Sequence, residues 1–184
     1  MSDILYSENF LSNDLIKNPV EKLILKYVKQ QPILDVGCGN GNLMKVLSNY
    51  DIEGVDPCEL AVSRAKEKEL KVYHSNISNF NSSIKYKTIL LIGVLAQLEN
   101  PEEDFKKVLT WLHEEGELII VHPNSSSPFF KRHESHRWLL KLKDFERFLN
   151  ENDLNIEIEI GAGRLRCFPM LSSINFYLLK WKKR

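Results

Sequence analysis

A short apolar strand that runs directly into a glycine-rich turn and then a helix is the feature that most constrains this chain. Ile33-Leu34-Asp35-Val36 predicts the strand, Gly37-Cys38-Gly39-Asn40-Gly41 the turn, and residues 42–49 the helix. Glycines permit positive φ angles and lack the Cβ that would collide with a ligand close to the backbone. The unit therefore predicts a ligand crevice beyond the carboxyl end of a parallel strand.

Two acidic residues stand beside this predicted crevice. Asp35 places negative charge next to the glycine turn, which disfavours a pyrophosphate and suits a cationic ligand or an ammonium group. Asp56 ends the next predicted strand, residues 51–56, where an acid in α/β nucleotide sites accepts hydrogen bonds from ribose hydroxyls. The combination predicts a nucleoside site. Taken alone, Asp56 could also be a helix N-cap or a surface acid.

Strand-like and helix-like runs alternate along the chain, which indicates a doubly wound α/β fold with a mostly parallel sheet. Asn18 and Pro19 open the first predicted helix as its cap and first residue. An alternating run from Leu154 to Ile160, a loop from Gly161 to Pro169 and a run from Ile174 to Trp181 predict antiparallel strands at one edge. Further strands are predicted at 71–74, 88–92 and 117–121, and further helices at 57–69 (with Leu60 inward), 101–113 (with Leu112 inward) and 141–152.

Size and composition fit a single globular domain over residues 1–184, with residues 1–18 as an N-terminal extension. The formal net charge is zero, so nothing favours nucleic acid or a membrane surface as partner. No apolar run reaches the roughly 18 residues of a spanning helix, and no signal peptide is recognised. Cys38, Cys58 and Cys167 are widely spaced, which favours reduced thiols and a cytoplasmic location.

The stretch ILDVGCGNG resembles the first signature of class I S-adenosylmethionine-dependent methyltransferases, in particular the group often called type 11. The stretch GVLAQLENPEEDFKKVLTWLHEEGELIIVHPN is similar to the part of that group from the fourth strand through the fifth. The resemblance covers roughly residues 19–125. It implies a Rossmann-like methyltransferase fold, with a seven-stranded sheet whose last strand is antiparallel, and S-adenosyl-L-methionine as cofactor.

The same resemblance assigns roles to residues along the crevice. It implies that Asp35 and Gly37 contact the methionine part, that Gly39 allows close approach and that Asp56 binds the ribose. The remaining cofactor-binding candidates are Cys38 and Pro57 beside these residues, Asn76 and Ile77 for the adenine, and the backbone carbonyl of Leu91 for the methionine ammonium. The chain departs from the group at Asn76, where an acid is common, at Lys87, where an acid is usual, and at Gln97, where a histidine is usual.

The acceptor side is predicted to lie in a long, turn-rich loop over residues 122–138. His122, at the end of the fifth predicted strand, is a candidate general base because an imidazole titrates near neutrality. It could equally be a histidine bonded into the loop. Phe129, Phe130 and Trp138 could form the wall of an apolar pocket or anchor the loop to the core. His133 and His136 lack an acidic partner at a suitable spacing, so no metal site is expected.

These observations predict an enzyme that transfers a methyl group to a small-molecule or lipid-like acceptor. The sequence does not indicate which acceptor is used, nor the oligomeric state. A nicotinamide-dependent oxidoreductase is disfavoured because the third glycine of its fingerprint would fall one residue early, at Gly41. A methyltransferase-like domain without catalysis, serving as a binding partner, remains the alternative, since Asn76, Lys87 and Gln97 differ from the group.

Overall fold

A seven-stranded sheet organises the protein, whose computed structural model describes residues 19–161 and 174–181. The strand order is β3-β2-β1-β4-β5-β7-β6. The pairs among β1 to β5 are parallel, whereas β7 is antiparallel to both β5 and β6. The predicted doubly wound, mostly parallel sheet with an antiparallel closing strand is therefore confirmed, and β6 lies at the predicted edge.

The elements follow the predicted alternation closely. The strands are β1 Ile33–Val36, β2 Ile52–Asp56, β3 Val72–His74, β4 Tyr86–Ile92, β5 Leu112–Pro123, β6 Leu154–Gly161 and β7 Ile174–Trp181. The helices are α1 Pro19–Tyr27, α2 Asn42–Val46, α3 Glu59–Lys66, α4 Pro101–Leu109 and α5 Leu142–Glu151, with a short 3-10 helix over Leu95–Gln97.

Alternate residues of the central strands pack against helices on opposite faces of the sheet, because side chains in a strand point to the two faces in turn. In β4, Leu90 packs on the side of α1, while Ile89 and Leu91 pack on the side of α4 and α5. Phe105 of α4 and Phe148 of α5 fill the second face, with ring centroids 4.9 Å apart. Both faces of the central strands are therefore buried, which leaves the ends of these strands as the place for a ligand.

Two predicted helices differ from the structure in ways that sequence periodicity does not reveal. The helix predicted over 101–113 ends at Leu109, and Leu112, predicted on its apolar face, instead begins β5. The Tyr86 N–H donates to the carbonyl of Trp111 (N···O 2.8 Å), and this bond draws the chain into the sheet early. Leu60 was expected to face inward, but α3 begins at Glu59 and leaves Leu60 52% exposed, because Ala61, Val62 and Ala65 form the buried face.

Several sequence predictions fall on parts of the chain outside the described residues. These are the N-terminal extension 1–18 with the Asn18 cap, Cys167, and the loop predicted from Gly161 to Pro169 beyond Gly161 itself. Within the described ranges, no helix combines the length and apolar character that crossing a bilayer requires.

Candidate active site

The glycine turn after β1 bends through three left-handed residues, with φ +73° at Gly37, +54° at Gly39 and +75° at Gly41. A Cβ at Gly37 would lie 2.4 Å from Val94 Cγ2, and one at Gly41 would lie 2.2 Å from Leu70 Cδ1. A Cβ at Gly39 would meet nothing within 4 Å. Gly37 and Gly41 are therefore required by packing and backbone conformation, whereas Gly39 faces open space at the end of the strand.

Asp56 holds the glycine turn against the end of β2. Its Oδ2 accepts a hydrogen bond from the Gly39 N–H (2.8 Å), and its Oδ1 accepts one from the Cys58 N–H (2.8 Å). The residue is 0% exposed, so the carboxylate lies enclosed between the two backbone segments that it joins. The sequence predicted an acid facing the crevice; the structure adds a second task, the support of the turn.

Asp35 lies beneath the same turn and is 3% exposed. Burial, together with the nearby negative charge of Asp56, raises the pKa of the Asp35 carboxyl to about 8. A neutral Asp35 is the form favoured while no cation is present, because a low-dielectric site penalises the second of two adjacent negative charges. An ammonium group placed near Asp35 would favour the ionised form.

A second glycine that faces open space, Gly93, stands just after β4, next to the end of β1. Its φ is +72°, and a Cβ there would also meet nothing within 4 Å. Its N–H donates to the Val121 carbonyl (2.9 Å), and its own carbonyl accepts from Gln97 Nε2 (2.8 Å). Sequence reasoning missed Gly93, although a glycine directly after a continuous apolar strand is a signal for close approach to the backbone.

The other predicted cofactor residues are distributed around this crevice. Pro57 and Asn76 are exposed at the ends of β2 and β3, and the Asn76 side-chain oxygen already accepts a bond from the Asn79 N–H (2.8 Å). The side chains of Cys38, Ile77 and Leu91 are buried in the core clusters, with 8%, 7% and 0% exposed. Burial also raises the pKa of the Cys38 thiol, which keeps it neutral.

His122 does not lie open to the crevice. It is 2% exposed, and its ring stacks on that of Phe145 with centroids 4.3 Å apart and planes at 4°. Burial lowers the pKa of the His122 imidazole to about 3, so protonation of this ring is strongly disfavoured at neutral pH. A general base at His122 stays a prediction, and this environment disfavours it, because a base has to take up a proton and has to reach the acceptor.

The connection after β5 begins later than predicted, since His122 and Pro123 still belong to the strand. Residues 124–141 cross the carboxyl end of the sheet before α5 begins. The N–H groups of Arg137 (2.8 Å) and Trp138 (3.1 Å) donate to the Ala96 carbonyl, and Ser125 Oγ donates to the Leu140 carbonyl (2.8 Å). Phe130 stacks on His136 (centroids 5.8 Å apart), and Phe129 is 56% exposed. The segment is therefore attached to the short 3-10 helix that follows β4, and Phe129 is an apolar side chain on its surface.

Metal-binding side chains do not gather at this site. Among residues 19–161 and 174–181, no group of three or more His, Cys, Asp or Glu side chains is arranged to hold an ion. His133 and His136 contact each other at a centroid distance of 6.0 Å, and the Ser135 N–H donates to His133 Nδ1 (3.2 Å).

The order of strands, the glycine turn after β1 and the acid that ends β2 define a Rossmann-like domain. Residues 10–157 match the family described as "Methyltransferase domain", which is most of the chain. The protein therefore belongs to the methyltransferase domain family, and the predicted resemblance is confirmed.

Relatives with assigned activities share only part of their length with this chain. The chain is 28% identical over 103 residues to pavine N-methyltransferase of Thalictrum flavum subsp. glaucum, covering 50% of this chain and 29% of that protein. It is 25% identical over 103 residues to (S)-tetrahydroprotoberberine N-methyltransferase of Eschscholzia californica, again covering 50% of this chain and 29% of the relative. The chain thus spans less than a third of the length of these curated relatives.

Solved structures share the whole fold at low sequence identity. An S-adenosylmethionine-dependent methyltransferase from Clostridium acetobutylicum ATCC 824 superposes with a TM-score of 0.73 at 18% identity, covering 94% of each chain. The plantazolicin methyltransferase BpumL, solved in complex with a pentazolic desmethylPZN analog and SAH, superposes with a TM-score of 0.66 at 21% identity, covering 88% of this chain and 81% of that one. Identity at this level shows the shared fold.

Proposed function

We propose that this protein is an S-adenosyl-L-methionine-dependent methyltransferase that acts on a small-molecule acceptor. The observation that carries the proposal is the crevice between the ends of β1 and β4, where Gly39 and Gly93 both leave open space at their Cβ positions. Two acids, Asp35 and Asp56, lie buried beneath it. Membership of the methyltransferase domain family supports the same function.

The residues around the crevice fit the parts of this cofactor. Gly39 and Gly93 would allow the methionine part to approach the backbone, with Asp35 as the negative partner of its ammonium group. Asp56, whose carboxylate accepts from the Gly39 and Cys58 N–H groups, is the acid that would accept from the ribose hydroxyls. Pro57 and Asn76, exposed at neighbouring strand ends, would flank the adenine. When bound, the cofactor supplies a methyl group on a sulfonium, which makes that methyl strongly electrophilic.

An acceptor would approach over the ends of β4 and β5, where residues 124–141 cross the sheet. Holding the acceptor atom close to the methyl group provides most of the rate acceleration of such a transfer, so a general base is not obligatory. Among the described relatives, the curated ones are N-methyltransferases by name and BpumL was solved with a desmethylPZN analog. A nitrogen of a small molecule is the acceptor that we favour for this chain.

Cofactor binding is tested by calorimetry with S-adenosylhomocysteine on the parent protein and on Gly39→Val. We expect S-adenosylhomocysteine to bind the parent with micromolar-scale affinity. It should not bind Gly39→Val, because the new side chain occupies the open space above the turn. NAD should bind neither protein. Asp153→Val is the matched control, because Asp153 has φ 59° and a valine there carries the same backbone strain. Asp153 lies just before the edge strand β6, away from the crevice. Normal binding by Gly39→Val would refute the placement of the ligand.

Methyl transfer itself is tested with isotope-labelled cofactor and a fractionated metabolite extract. Label should appear in a low-molecular-mass product with the parent protein and not with Gly39→Val. Saturable cofactor binding without any labelled product across the fractions would favour the alternative function, a binding domain without catalysis.

A further inference from the structure

At the carboxyl end of β5, two buried polar side chains carry atoms that lack a hydrogen-bond partner among the described residues. His122 of β5 and Asn175 of β7 lie directly opposite each other across the antiparallel ladder and are 2% and 0% exposed. Among the described residues, neither ring nitrogen of His122 nor Oδ1 of Asn175 has a hydrogen-bond partner. A buried polar atom left unpaired costs about 1–3 kcal/mol, and native proteins hold few of them.

The unpaired oxygen of Asn175 has a defined direction. Asn175 Nδ2 donates to Glu159 Oε1 (3.1 Å) and to Tyr177 Oη (3.3 Å), so the amide nitrogen faces β6 and Oδ1 faces away from these two groups. Exchange of the two amide atoms would set an oxygen against the Glu159 carboxylate, which is unfavourable. The pair therefore presents a fixed hydrogen-bond acceptor beside an imidazole.

Aromatic rings enclose the His122 side of the pair. The ring of Phe145 in α5 covers one face of the imidazole, and Trp138, in the segment that crosses the sheet, meets it edge-on with centroids 5.8 Å apart. Trp138 is itself partly exposed, so the His122 ring contacts a side chain that reaches the surface. Such a combination, apolar walls with a few convergent polar atoms, is the usual construction of a small-molecule site.

The pair adjoins the cofactor crevice through the backbone. The Val121 carbonyl, one residue before His122, accepts the hydrogen bond of Gly93, and Gly93 is one of the two glycines that open the crevice. A group that contacts His122 and Asn175 would thus be held beside the end of β4. This is the side from which an acceptor must approach.

We propose that His122 and Asn175 bind an N–H-bearing neutral polar group of the methyl acceptor, such as an amide or an uncharged amine, when the Trp138 indole moves aside. The inference rests on the proposed methyltransferase function. A neutral imidazole offers one donor and one acceptor, and Asn175 Oδ1 offers a second acceptor. A ligand group that matches the two acceptors carries two N–H donors. An anion would meet one uncharged donor, the imidazole N–H, and would be repelled by the nearby Glu159 carboxylate.

The chemistry of the surroundings agrees with a neutral ligand group. Burial lowers the pKa of His122 to about 3, so the imidazole supplies no positive charge to an anion at neutral pH. His122 acts here by binding, which requires no proton transfer. That role replaces the general base that the sequence suggested.

The proposal is tested by nuclear magnetic resonance on protein labelled with ¹⁵N in its histidine side chains and saturated with S-adenosylhomocysteine. The probes are benzamide and benzoate, which have the same shape and differ in an NH₂ group against a charged oxygen. We expect benzamide to shift the His122 nitrogen resonances saturably and benzoate to leave them unchanged at the same concentration. Equal shifts with benzoate, or none with saturating benzamide, would overturn the proposal.

Two variants separate binding from structure. His122→Phe keeps a ring stacked on Phe145 and removes both nitrogens, so benzamide affinity should fall at least about tenfold, the loss expected for about one hydrogen bond. In the control variant His113→Phe, the substitution lies at the start of β5, at the end opposite to His122, and should leave benzamide affinity unchanged. Unchanged benzamide affinity in His122→Phe would refute the site.

Cofactor affinity, measured separately by calorimetry, should stay within about twofold of the parent in both variants, because neither removes a crevice residue. Thermal stability of His122→Phe should be equal to or above that of the parent, since unpaired buried nitrogens are replaced by carbon. A marked loss of stability would show that His122 is structural. Absence of cofactor binding in the parent would instead refute the proposed function. The benzamide experiment would still decide whether His122 and Asn175 bind a neutral polar group.

Discussion

At the scale of one residue, Asp56 is a predicted ligand contact that also holds the fold together. The sequence identified it from its place after a strand, and that placement is correct. The two backbone bonds that it accepts, from Gly39 and Cys58, depend on how the glycine turn folds back over β2. No sequence pattern reports that geometry, because the donors are backbone N–H groups that every non-proline residue has.

Asp56→Ala should therefore weaken both the cofactor site and the turn. We expect cofactor affinity to fall by about tenfold to a hundredfold, corresponding to about 1.5–3 kcal/mol for a charge-assisted bond, together with a lower melting temperature. Asp56→Asn is the matched variant, because its amide oxygen can still accept one of the two backbone bonds and should retain more stability. Calorimetry and thermal denaturation measure the two effects; unchanged values for Asp56→Ala in both would contradict this role.

Asp35 gives the apo protein a stability that depends on pH. Its folded pKa, about 8, lies above the ordinary value of 3.8, so the folded state holds a proton that the unfolded state has lost between those pH values. Stability of the apo protein should thus decrease as pH rises from about 4 to about 8 and level off above it. Denaturation of the parent and of Asp35→Asn measures this: the variant should lack the decrease, and identical pH profiles would contradict a buried neutral carboxyl.

At the scale of elements, strands were predicted better than helix ends. The run at 33–36 matched β1 because four buried residues between a proline and a glycine leave little choice. The helix predicted over 101–113 extended too far because Leu112 fits a helical face as well as a strand. Pairing of Tyr86 with Leu112 decides between the two, and that contact joins residues distant in the sequence.

The loop predicted over residues 122–138 was expected from its composition and position to govern the acceptor, and this stays a prediction. Replacement of Pro128–His136 by a short glycine–serine linker should leave cofactor affinity within a few-fold of the parent. Methyl transfer should fall by at least about a hundredfold, the scale on which a misplaced reacting group acts. The bonds of Arg137 and Trp138 to Ala96 lie outside the replaced stretch and should keep the segment attached.

Calorimetry and labelled transfer on that linker variant separate the possible roles. Equal loss of cofactor affinity and transfer would show that the segment supports the fold. Retention of both would show that it is only a connection between β5 and α5.

At the scale of the whole molecule, the cofactor half and the acceptor half differ in how far sequence predicts them. The turn after β1 carries glycines and acids whose backbone and charge requirements are local, so the sequence alone singles out Asp35, Gly37 and Gly39, and their contacts with a cofactor stay predictions. The pairing of His122 with Asn175 depends on β7 entering between β5 and β6, a non-local contact. The sequence located His122 but assigned it the chemistry of an exposed residue.

Ligand binding should stabilise the whole domain measurably. A ligand at a hundred times its dissociation constant adds about 2.7 kcal/mol. For a domain of this size, each kcal/mol raises the melting temperature by about 2–4 °C, so S-adenosylhomocysteine should raise it by about 5–10 °C. Scanning calorimetry with and without ligand tests this; Gly39→Val should show no rise, while Asp153→Val should show the full one.

The position of β7 has a consequence for the order in which the protein can be assembled during synthesis. β6 leaves the ribosome before β7, yet among the described residues β7 is the one strand that pairs with it. Until Ile174–Trp181 has emerged, β5 has one unpaired edge and β6 has two, with apolar residues beside them. Open edges of this kind promote association between chains. A ribosome-stalled chain that ends before Ile174 should therefore bind chaperones. Pairing of β7 with β5 and β6 should end that dependence, because it closes the open edge of β5 and one edge of β6.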